Sequence, residues 1–190
     1  MTSALTSGEL GPTKSDGGGL EATGVTTLQE RQLAVTHWLL GAAEDQDLAR
    51  SQWDGQGGIA LLACGGILAA VRIPAHMVWA VAKTDELEKV DVFLRHWFDG
   101  GAVFMDLRTQ LYYALVPGSA SWPWNDRDFP GVECLRRDNY LGVPAIRLTE
   151  PKGHAYWCRP MESPRDLCFV DEVEELVRHG RAARAEGGSQ

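Results

Sequence analysis

The chain has 190 residues, 44% of them hydrophobic and 23% charged, and a formal net charge of -8. These are globular values, and the length suits one domain with a core of its own. Residues 1–60 hold 3 Lys+Arg against 8 Asp+Glu and residues 61–150 hold 9 against 11, so no basic arm favours strong non-specific DNA binding, although a local basic groove stays open.

Residues 1–25 are rich in Ser, Thr and Gly and read as a disordered tail. The single domain is expected over residues 26–185, with 186–190 as a flexible C-terminus. Nothing at the start pairs a basic segment with an apolar one, and no apolar run reaches eighteen residues, so the expectation is a cytoplasmic protein with no membrane segment. Cys64, Cys134, Cys158 and Cys168 form no C-x-x-C pair and read as reduced, mostly buried thiols.

Thr27-Leu28-Gln29-Glu30 has the capping-box pattern and predicts a helix to about Ala43, with a helical turn over Asp47–Gln52. Ile59 to Ile73, broken only by Gly65-Gly66, predicts two buried strands or a hairpin. Pro74 opens a helix over Ala75–Ala82. Leu87, Val90, Leu94 and Trp97 mark one face of a second helix over Asp85–Trp97. Ala102–Leu107 and Leu111–Val116 predict a hairpin. Gly131–Leu135, Tyr140–Val143 and His154–Arg159 read as short strands. Asp171–Ala183, acidic early and basic late, reads as a closing helix.

Candidate chemistry is sparse. His154, Cys158 and Cys168 have no paired-ligand spacing, so no metal site or catalytic residue is assigned and no cofactor is expected. The glycine pairs Gly57-Gly58, Gly65-Gly66 and Gly100-Gly101 fit no phosphate-loop motif and read as turns. Trp122 and Trp124 flank Pro123 in a loop beside Arg127, where they stack on bases, anchor the loop on the sheet or meet a partner. Asp106 and Glu133 are the acids near strand ends in the middle of the chain, although an acid at a hairpin is commonly a turn residue.

Three patches, in order, resemble the primase–polymerase domain family, related to archaeo-eukaryotic primases and of the bifunctional primase/polymerase N-terminal type. Gly66 to Pro74 resembles the strand that ends in the family's Asp-x-Asp metal motif. Arg108 to Gly118 resembles the strand after its catalytic histidine, written G-R-H-x-Y-F. Pro130 to Pro144 resembles its P-G-[VI]-D-x-R-x-x-G-G-Y-[VL]-x-x-P segment, the most specific of the three. The resemblance covers about residues 30–160. It implies an α+β fold with a mainly antiparallel sheet and flanking helices.

On that alignment Val71 and Ile73 stand in place of the paired aspartates, Gln110 in place of the histidine, and only Glu133 keeps a carboxylate. Valine and isoleucine cannot hold the cations that two-metal nucleotidyl transfer needs. The expectation is therefore a bacterial, non-catalytic module whose vestigial cleft, lined by Arg72, Arg108, Gln110, Tyr112, Glu133 and Arg136, binds a nucleotide or single-stranded nucleic acid, in replication or plasmid biology. Two alternatives stand beside it. One is a protein-interaction module, a homo-oligomer among its forms, that uses Trp122, Trp124 and helix faces. The other is an active nucleotidyltransferase built on Asp106 and Glu133.

Overall fold

The computed structural model describes residues 27–120 and 129–187. The expected N-terminal tail and the Trp122 and Trp124 loop lie outside the described residues.

Helix α1 (Leu28–Leu40) starts on a complete capping box: the Thr27 hydroxyl accepts from the Glu30 amide at 3.2 Å, and the Thr27 amide donates to the Glu30 carboxylate at 2.7 Å. It buries Val35, Leu39 and Leu40. The expected short turn after it is a full helix, α2 (Gln46–Asp54), because the Asp45 carboxylate caps the amides of Asp47 and Leu48.

The apolar stretch from Ile59 to Ile73 forms two strands, β1 (Ile59–Ala63) and β2 (Leu68–Pro74), as expected. They are not a hairpin. β1 pairs with β6 (Tyr140–Pro144) in a two-stranded sheet, and β2 joins a separate five-stranded sheet. The corner between them is Gly65, whose φ of 88° lies in the left-handed region and whose missing Cβ would overlap the Arg137 backbone. A tight hairpin would have left the apolar faces of both strands without the partners that residues 111–117 and 140–144 supply.

Helices α3 (Ala75–Ala82) and α4 (Leu87–Trp97) follow. The expected hairpin of β3 (Val103–Asp106) and β4 (Leu111–Pro117) is present, with Asp106 opposite Leu111. Then come β5 (Glu133–Leu135), β6, β7 (Ala155–Arg159) and α5 (Val170–Gly187). The large sheet has the order β5-β2-β4-β3-β7, and every pairing is antiparallel. Strands β2 and β3 flank β4 and are joined through α3 and α4, which is a split βαβ arrangement. The fold class is α+β, with mainly antiparallel sheets and flanking helices.

One face of the sheet packs Val71, Ile73, Tyr112, Ala114, Met105 and Tyr156 against α3, α4 and α5. The opposite face packs Leu68, Ala70, Phe104, Leu115 and Trp157 under α1, α2 and the β1–β6 pair. Two indoles tie this second layer down. Trp53 Nε1 donates to the Val143 carbonyl at 2.9 Å, and Trp157 Nε1 donates to the Pro144 carbonyl at 3.1 Å. Because β2 and β4 are central and covered on both faces, they read in sequence as continuous apolar runs without alternation. Among the described residues no helix is long and apolar enough to cross a membrane.

Candidate nucleotide-binding face

Residues directly opposite in an antiparallel ladder project from the same side of the sheet. Glu133 on β5 is opposite Arg72 on β2, Arg72 is opposite Tyr113 on β4, Tyr113 is opposite Phe104 on β3, and Phe104 is opposite Trp157 on β7. These five side chains form one row across the sheet. The ring contacts follow it: Phe104 stacks on Tyr113 at 4.9 Å and 15°, and meets Trp157 edge-on at 5.3 Å.

The row changes character along its length. Trp157 and Phe104 are buried under the β1–β6 layer, Tyr113 is half-buried, and Arg72 and Glu133 are partly open to solvent. The Arg72 guanidinium reaches the Glu133 carboxylate at 2.8 Å, with 36% and 43% of the two side chains exposed. An ion pair this open contributes at most about 1 kcal/mol. The Arg72 Nε is buried and has no partner among the described residues. Burial, and then the nearby Asp106 carboxylate, hold the Tyr113 hydroxyl above its ordinary range, while Arg72 opposes the shift, so it stays neutral at pH 7.

Two residues along β3 from Phe104, Asp106 lies on this same face. Its Oδ1 accepts from the amides of Arg108 at 2.8 Å and Thr109 at 3.3 Å, so it acts as the turn residue of the β3–β4 hairpin. Asp106 and Glu133 are three strand intervals apart, about 14 Å across the sheet, with Arg72 and Tyr113 between them. Carboxylates so far apart do not share a cation, which counts against an active site built on that pair. Among the described residues no three His, Cys, Asp or Glu side chains come together in a way that could hold a metal. Cys158 and Cys168 are buried with thiols pushed well above their usual range by burial, and His154 is exposed.

The six residues expected to line one cleft separate into four places. Arg72 and Glu133 meet. Arg108 and Gln110 lie beyond them in the β3–β4 turn at the same end of the sheet. Gln110 has a φ of 55°, and its carbonyl accepts from the Ala75 amide at 2.9 Å, fixing the turn against the start of α3. Tyr112 faces the other way, is 1% exposed, and accepts a hydrogen bond from Trp79 Nε1 at 3.2 Å, so it is a core residue. Arg136 follows Leu135, which is opposite Ala70, and so leaves the sheet toward the Gly65 corner, away from the Pro74 end. Its amide caps a turn through the Asn139 side chain.

The register also moves the position that aligned acids would occupy. Val71 and Ile73 point into the α3–α5 core, opposite to Glu133. Of the β2 residues that pair with β5, Ala70 and Arg72 are on the Glu133 face. The residue missed from sequence is Tyr113. Alternation would have set Tyr112 and Tyr113 on opposite faces, but in a strand covered on both sides that signal does not say which tyrosine faces the open end.

No family model matches this chain, no curated protein matches it, and no solved structure matches it.

Proposed function

We propose that this chain is a non-catalytic, primase–polymerase-like domain that binds a nucleotide or single-stranded nucleic acid on the open end of its five-stranded sheet. The observation that carries this reading is the adjacency of a half-buried aromatic ring, Tyr113, and a partly exposed guanidinium, Arg72, on neighbouring central strands. Bases stack on aromatic side chains of antiparallel sheets, and a guanidinium alongside meets the phosphate. The pair with Glu133 engages one Nη of a guanidinium that carries five N–H donors, so the partly exposed fork has donors left for a ligand.

Neither face of β2 carries the acids that catalysis needs. Val71 and Ile73 carry no carboxylate, and neither do Ala70 and Arg72 on the face that holds Glu133. In either case the cations of two-metal transfer lack their ligands. A titration of labelled single-stranded oligonucleotide at low salt tests the reading. Binding that Arg72→Ala and Tyr113→Ala both weaken supports it, and no binding by the unmodified chain overturns it.

A second reading rests on a different surface. Exposed Phe169 and Ile67 border an apolar groove of about 680 Å³ together with Trp38 and Leu167. A contiguous apolar groove of this kind suits a protein partner or a second copy of the chain. Sedimentation showing a monomer at all concentrations, together with no partner recovered on Phe169-dependent capture, removes this reading.

A further inference from the structure

We infer that a cavity beside the start of β7 is a phosphate-binding site, for inorganic phosphate or the phosphate group of a small organic phosphate. The cavity has a volume of about 370 Å³ and lies between the α2–β1 loop and the loop that enters β7. Arg147, Lys152 and His154 line it together with Gly57, Gly58 and Gly153, and no carboxylate does. In a chain of net charge -8, a concavity lined by a guanidinium, an ammonium and an imidazole, with Glu150 paired to Lys152 at its edge, is a locally basic spot.

The side chains that line it have capacity to spare. Arg147 spends one Nη on the Trp53 carbonyl, which fixes the fork in place. Its remaining N–H groups are in the fixed planar geometry that matches two phosphate oxygens. The His154 ring has no hydrogen bond among the described residues, while its carbonyl is held by the Leu107 amide at 2.9 Å. Lys152 pairs with Glu150, but both side chains are at least 70% exposed, so a ligand displaces that contact at little cost.

The glycines give the site its shape. Gly57, Gly58 and Gly153 all have positive φ, at 102°, 60° and 74°, and a Cβ on Gly57 or Gly153 would meet nothing within 4 Å. Both loops therefore present low walls at which an anion can approach the backbone closely. The volume exceeds what a phosphate alone needs and leaves room for part of the group that carries it.

The site stands apart from the Arg72 and Tyr113 face and does not depend on that reading. Ala155, on the cavity rim, is opposite Asp106, so the two lie at the same end of the sheet, with the cavity about three strand intervals, or ~14 Å, from Arg72.

The test is a nitrogen-edited NMR titration of the full chain with inorganic phosphate, a nucleoside monophosphate and the corresponding nucleoside. The two phosphates are expected to shift the amides of Gly57, Gly58 and Gly153, and the nucleoside is not. Tighter binding of the monophosphate assigns an organic phosphate, and equal or tighter binding of inorganic phosphate assigns the free ion. Lys152→Ala and His154→Ala, both at exposed positions, should each weaken binding by about tenfold, and Glu150→Gln should strengthen it. Unmoved glycine amides with both phosphates, or variants that bind like the parent chain, would overturn the assignment. An Arg72→Ala control separates the two sites, because it should leave these shifts unchanged whether or not the sheet face binds nucleic acid.

Discussion

Arg72 on β2 and Glu133 on β5 face each other across an antiparallel ladder with guanidinium and carboxylate 2.8 Å apart, while Tyr113 lies opposite Arg72 on its other side. The arginine thus lies between an acid and an aromatic ring on one face of the sheet. A ligand phosphate would compete with Glu133 for it.

That competition gives a directional prediction. Arg72→Ala should weaken single-stranded DNA binding by about tenfold, because it removes a charge-assisted contact. Glu133→Gln should tighten it, because the guanidinium is released. Neither change should cost more than about 1 kcal/mol of stability, since the pair is over a third exposed. Fluorescence anisotropy together with urea unfolding checks both. Equal affinity for all three proteins contradicts the assignment.

The two neighbouring tyrosines should behave differently. Tyr112→Phe removes the acceptor for Trp79 Nε1 in the core and should destabilise the fold by about 1 kcal/mol without touching ligand affinity. Tyr113→Ala should lose affinity through lost stacking, about 1–3 kcal/mol per base. Denaturant midpoints and anisotropy on the same samples separate the effects, and a reversed pattern would place Tyr112, not Tyr113, on the ligand face.

Asp91 on α4 is a buried acid, 5% exposed, that accepts from the Tyr156 hydroxyl at 2.9 Å. Burial pushes its carboxyl from the ordinary 3.8 up to about 6, against the opposing pull of the Tyr156 hydrogen bond. Below pH 3.8 the group is protonated in both states and contributes nothing to pH dependence. Between 3.8 and about 6 the unfolded chain ionises first, so stability falls as pH rises, by about 1.4 kcal/mol per pH unit at most, and the loss is complete above about 6. Asp91→Asn lacks this loss, so its stability relative to the parent chain should increase from pH 4 to pH 6.5. Parallel stability curves across that range would contradict the prediction.

Gly65 carries the chain from one sheet to the other. Gly65→Ala places a Cβ at a φ of 88° and against the Arg137 backbone, and should cost about 2–4 kcal/mol in urea unfolding. Gly66→Ala, where a Cβ meets nothing within 4 Å, is the matched control and should be nearly neutral. Equal losses would show that the corner is not the constrained position.

Much of this fold is written locally. The Thr27 and Glu30 capping box, the helix opened by Pro74 and the short β3–β4 turn are each specified by adjacent residues, and each forms where the sequence places it. The separation of β1 and β2 into two sheets is not local. It depends on residues 140–144 and 111–117 offering better partners than the strands offer each other, a choice that no window around Gly65 contains. The site was half legible for the same reason. Arg72, Glu133 and Tyr112 are picked out by their place in the patches that resemble primase–polymerases, whereas the choice between Tyr112 and Tyr113 is set by which face of β4 is left partly open, and two adjacent tyrosines in an apolar run do not show that.

The most direct test of the central claim is to map amide shifts on the full chain while titrating a short single-stranded oligonucleotide at low salt. The largest shifts are expected on Arg72, Tyr113 and Glu133, and raising the salt should reverse them, as phosphate contacts require. Shifts confined to other surfaces, or none at all, would contradict it.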